Sequence, residues 1–137
     1  MSKLTTLFSV VFFTLLFIAC TEDSDLVNPQ DDRDLFLGTW NVNETCNRGA
    51  YQITITKDPT NSSQVIINNF WLIGPNEKAP YAIVAGSNIV IPQQNIYNNE
   101  KTLVKGSGTL DKDIIEWEYT VNDGADLYTC TATYEKI

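Results

Sequence analysis

From Leu37 to Ile137 the apolar positions recur every second residue, and no stretch of useful length carries a helical period. Ile115, Trp117, Tyr119 and Val121 alternate with Glu116, Glu118 and Thr120. Tyr128, Cys130, Ala132 and Tyr134 alternate with Thr129, Thr131, Thr133 and Glu135, and Tyr51, Ile53 and Ile55 with Gln52, Thr54 and Thr56. Such period-two runs predict strands with one face buried and the other wet. They fall at 39–46, 50–57, 64–72, 81–85, 88–93, 102–110, 114–122 and 127–136. Between them lie Asn47-Arg48-Gly49, Asp58-Pro59-Thr60-Asn61, Gly74-Pro75-Asn76, Gly86-Ser87, Asn98-Asn99, Asp111-Lys112-Asp113 and Asn122-Asp123-Gly124, the turn chemistry that closes antiparallel hairpins. The prediction is an all-β domain over 37–137. Eight sequential antiparallel strands favour an up-and-down barrel, because closure removes aggregation-prone edges. A two-sheet sandwich is the alternative.

The first 19 residues follow a different pattern. Lys3 supplies a positive start, residues 7–18 form an apolar run, and the small Ala19 precedes Cys20. The run is shorter than the roughly 20 residues a spanning helix needs, so it reads as a signal peptide. The segment Leu16-Phe17-Ile18-Ala19-Cys20 resembles the lipobox of bacterial lipoproteins, with Phe17 where Leu is usual. That resemblance implies cleavage before Cys20 and attachment of diacylglycerol to its thiol; the alternative is an ordinary secreted chain cleaved near Ala19. Several acyl chains at one terminus exceed the two-signal threshold for a stable anchor. Residues 20–36 are polar, acidic and interrupted by Pro29, and are expected to form a tether. Thr21-Glu22-Asp23-Ser24-Asp25 is similar to the acidic export signal of Bacteroidetes lipoproteins, which implies an outer-membrane lipoprotein facing outward. A solvated linker on a periplasm-facing lipoprotein is the other reading.

Charge narrows the partners. With 17 acidic and nine basic side chains the net charge is −8, and the acidic excess is densest in the tether. This excludes the clustered bases that nucleic acid or anionic lipid surfaces require. The sequence has no His, so a common general base and metal ligand is missing. With Cys20 committed to lipid, Cys46 and Cys130 remain for an oxidising compartment, one closing the first strand and the other early in the last. Antiparallel pairing of those strands would join them across the barrel seam as a disulfide. Neither a metal nor a cofactor is expected, nor is an enzyme. Glu116 and Glu118 share a face but point away from Trp117, toward solvent.

Leu37-Gly38-Thr39-Trp40-Asn41 resembles the Gly-x-Trp opening of lipocalin-like (calycin) barrels, in which the Trp plugs one end. Together with Asn69-Phe70-Trp71, Gly106-Ser107-Gly108-Thr109 and Cys130-Thr131-Ala132-Thr133-Tyr134, it is similar to small lipocalin-like lipoproteins of Bacteroidetes, which implies architecture and no particular activity. An eight-stranded barrel is just wide enough to be filled by side chains or to hold one small ligand. Trp40, Tyr51, Trp71, Trp117, Tyr119, Tyr128 and Tyr134 are the candidate lining, with Asn69, Gln93 and Gln94 as further candidates. These rings could form an apolar pocket with polar tips, or could fill the lumen as core. The expected partners follow those two cases: a small apolar or amphipathic ligand in a hollow barrel, or an envelope protein such as a hydrolase against a packed one.

Overall fold

The computed structural model describes residues 30–46 and 48–137. The expected signal peptide, Cys20 and most of the expected tether lie outside them.

Eight antiparallel strands close into a single up-and-down barrel in simple sequence order. They are β1 (Gly38–Glu44), β2 (Tyr51–Lys57), β3 (Gln64–Asn68), β4 (Tyr81–Ala85), β5 (Asn88–Ile96), β6 (Thr102–Asp111), β7 (Ile114–Asn122) and β8 (Leu127–Lys136). The arrangement is compatible with a calycin-type fold. Alternation decides the faces: Tyr51, Ile53 and Ile55 are buried, while Gln52, Thr54 and Thr56 are exposed. The seam is the β1–β8 pair, in register from Trp40 opposite Lys136 to Glu44 opposite Ala132. Two residues further on, Cys46 and Cys130 form the expected disulfide, with Cα atoms 5.6 Å apart.

Two strands end elsewhere than the pattern predicts. The expected third strand, 64–72, stops at Asn68, because Asn69, Trp71 and Leu72 take left-handed backbone angles and Phe70–Leu72 forms a 3-10 turn. The fifth continues beyond Gln93 to Ile96 across a bulge between Ile91 and Gln94. Pro92 has no amide hydrogen for the ladder, and a bulge accommodates that lack. Here Gln94 substitutes for backbone: its side chain accepts from the Tyr81 amide at 3.0 Å and donates to the Tyr81 carbonyl at 2.8 Å.

One end of the barrel is closed by the last part of the expected tether. Asp32–Leu35 forms a 3-10 turn, and Phe36 enters the core fully buried. The Trp40 indole donates to the Phe36 carbonyl at 2.9 Å, and Lys136 lies over the same indole while donating to the Leu35 carbonyl at 3.1 Å. Asp31 pairs with Arg33 and Lys57, Lys57 also reaches Asp34, and the Gly86 amide donates to Asp32. The turn is thus tied to β2 and to the β4–β5 hairpin. Polar composition alone reads this segment as tether; Phe36 and the pairing of Asp31 draw its end onto the barrel.

Candidate functional site

The lumen is filled where β6 and β7 face each other. Gly106 and Gly108 stand opposite Tyr119 and Trp117. A Cβ on Gly108 would lie 2.8 Å from the Trp117 ring, and one on Gly106 would collide with Tyr119. Small and large residues therefore interdigitate, and the two rings occupy space that glycine leaves. Trp117 packs against Tyr134 with centroids 5.6 Å apart, and Phe70 meets Tyr119 edge-on at 5.0 Å. Of the seven candidate lining residues, Trp40 sits at the closed end, and Trp117 and Tyr134 occupy the interior. Tyr51 and Tyr119 reach a polar centre, while Trp71 and half-buried Tyr128 meet at the other end with centroids 5.4 Å apart. Asn69, Gln93 and Gln94 do not line the lumen. Asn69 donates to the Gln52 carbonyl, Gln93 is exposed, and Gln94 holds the main chain of β4.

That polar centre is Glu44. It has the inward parity of Trp40 and Val42, so β1 carries a carboxyl group into the barrel. Its Oε2 accepts hydrogen bonds from Tyr51, at 3.0 Å, and from Tyr119. Its Oε1 is buried with no partner among the described residues, as is the hydroxyl of fully buried Tyr134. Burial pushes the phenols of Tyr51, Tyr119 and Tyr134 well above the usual tyrosine range, and the neighbouring Glu44 adds to the effect on each. They remain protonated donors. None of the ion pairs among the described residues includes Glu44.

The mouth above Glu44 is formed by the β1–β2, β3–β4, β5–β6 and β7–β8 connections. The β3–β4 connection turns inward as a plug, with Phe70 and Trp71 buried and Leu72 exposed. Asn69 clamps its base: the side chain donates to the Gln52 carbonyl and accepts from the Gly74 amide, both at 2.8 Å. The Arg48 guanidinium covers the Trp71 ring at 3.5 Å from its centroid. The Trp71 indole N–H is buried with no partner, as is that of Trp117.

A depression of about 480 Å³ lies on the outer wall of β5–β8, where Gln93, Lys105, Ser107, Glu118 and Thr129 line it. Glu116 and Glu118 are exposed on this wall, on the face their parity predicts. Compared with known protein families and with curated proteins, the chain matches none.

Alternation singles out the rings, but Glu44 does not stand out among so many acidic residues. The signal that finds it is strand parity, an acid two residues beyond Val42 at the end of an inward-facing row.

Proposed function

We propose that this chain is a lipid-anchored envelope protein, tethered through Cys20, whose lipocalin-like barrel binds a partner at its mouth rather than deep in its lumen. The observation that carries this reading is the Glu44 centre: a carboxyl group inside the barrel, satisfied on one oxygen and unmatched on the other. Buried polar groups are normally paired, so an unmatched cluster beneath a plugged mouth suits a binding site. The filled lumen argues against a long apolar guest, and a compact ligand with a polar end fits better. The reading is of binding without catalysis, since burial keeps the phenols around Glu44 protonated and poor as bases. The lipobox-like segment supports the anchor at Cys20 and the acidic stretch Thr21–Asp25 an outer-membrane location, with the mouth free to face the periplasm or the exterior.

A second reading rests on the packing itself. Six of the seven candidate rings are 9% exposed or less, as in a solid core. On that reading the barrel carries no small molecule and acts through its polar outer wall against an envelope protein. Native mass spectrometry of the mature protein, released gently from its own host's envelope, separates the two. An extra mass that is lost on denaturation supports binding at the mouth. A bare protein mass, with another protein co-purifying, supports the second reading.

A further inference from the structure

Three features of the mouth bear on what it would take. First, Glu44 brings negative charge into the barrel with only neutral phenols as partners. Arg48, one of the cations at the mouth, lies on the Trp71 ring, Lys78 pairs with Glu100, and no ion pair among the described residues includes Glu44. A buried carboxylate is strongly stabilised by a charged N–H donor, and Glu44 Oε1 has no donor among the described residues. Second, the Tyr134 hydroxyl is also unmatched. It lies close enough to Glu44 for the carboxylate to act on it, and it can accept a further N–H. Third, aromatic rings surround this centre: Tyr51, Tyr119, Tyr134, Phe70 and Trp117. Ring faces attract cations and offer nothing to anions.

The plug shows how room arises. Asn69, Trp71 and Leu72 have φ of 63°, 55° and 58°, a left-handed conformation that is costly for side-chain-bearing residues. Trp71 is buried with its N–H unsatisfied, a further cost. The rest of the connection is tied to the β5–β6 side by the Lys78–Glu100 ion pair and by Asn98 donating to Glu77 and to the Asn76 carbonyl, so the strained part is confined to 69–72. Withdrawal of Phe70 and Trp71 would vacate the volume of two aromatic side chains beside Tyr119, a donor to Glu44.

From these features we propose that the mouth is a gated site for an organic ammonium: a cationic nitrogen on a flat apolar body of one or two rings. The nitrogen donates to Glu44 Oε1 and to the Tyr134 hydroxyl, and the body takes the place of Phe70 and Trp71. The proposal rests on the mouth-binding reading and adds the ligand's charge and shape. A neutral guest would leave the carboxylate unmatched, and an anion would be repelled by it.

The test uses the mature protein and three probes of one shape: phenethylammonium, neutral 2-phenylethanol and anionic 3-phenylpropionate. Binding is read by calorimetry and by tryptophan emission. Phenethylammonium should bind at least about tenfold more tightly than either other probe, the equivalent of ~1.4 kcal/mol, and should perturb emission as Trp71 moves. Glu44→Gln should abolish that preference, and Trp71→Ala should tighten binding because no plug need be displaced. If Glu44→Gln does not fold by circular dichroism, Tyr134→Phe decides, with a several-fold loss for the cation alone. Equal affinity for the three probes, a preference that survives in the folded variants, or no binding by either wild type or Trp71→Ala overturns the proposal. A neutral or anionic molecule found on protein from the host envelope would also overturn it while leaving the mouth-binding reading intact. A bare mass together with no probe binding would remove both.

Discussion

Glycine and tyrosine carry the residue-scale logic of this barrel. Glycines within a strand read as permitting a bend or a close approach, and at Gly106 and Gly108 each leaves the half-space into which an aromatic ring fits. Gly106→Ala should therefore destabilise the protein by ~1–3 kcal/mol through overpacking, measured by urea denaturation. A change within experimental error would mean that the Tyr119 side of the lumen is loose. The buried phenols make a second prediction. Their pKa values are raised in the folded state, chiefly by burial, so the folded protein holds these protons more tightly than the unfolded chain. Their contribution is complete below the ordinary phenol value of about 10 and is lost as pH rises beyond it. Alkaline unfolding should accordingly coincide with tyrosinate absorbance from these three residues. Early titration of all the tyrosines in a protein still folded would contradict their burial.

Among the elements, the seam and the two ends behave differently. β1 and β8 are the most distant strands in sequence, and the Cys46–Cys130 bond spans 84 residues. In the chain-entropy model such a link stabilises by ~3–5 kcal/mol, so the Cys46→Ser/Cys130→Ser variant should melt markedly lower than wild type. Equal melting temperatures would show that the seam is held by its hydrogen bonds alone. At the closed end, Arg33 and then Lys57 lower the Asp31 carboxyl well below the carboxylate range. A depressed folded value means stability present above the unfolded pKa and lost only as pH falls through the folded one. The N-terminal cap should stay docked through mild acid and loosen in strong acid, and Asp31→Asn should shift that loosening toward neutral pH when followed by Trp40 fluorescence. Among the described residues the plugged end carries a single ion pair, Lys78–Glu100. Asn69 clamps the base of the plug, and period-two alternation extends the third strand through the place where the chain actually turns inward.

At the scale of the whole molecule, the barrel and its anchor are separate problems. If Cys20 is the lipid attachment site, Cys20→Ala should leave the barrel folded and move the protein out of the membrane fraction of its host; retention in that fraction would refute the anchor. The eight-strand order and the Cys46–Cys130 pairing were legible from alternation, turn residues and the position of two thiols at strand ends. These are local quantities, because strand parity and turn chemistry depend on neighbours in the chain. So is the inward direction of Trp117, Tyr119 and Tyr134, which follows from period two alone. What those rings do inside depended on residues from different strands meeting across the lumen. Gly106 yields to Tyr119, Phe70 closes on the same ring, and Glu44 collects two hydroxyls from β2 and β7. The sequence by itself determined a barrel with aromatic residues facing in. Only the tertiary structure decided that the lumen is packed and that its unmatched polarity gathers under the plug, because packing and hydrogen bonding are set by distances between positions far apart in the chain.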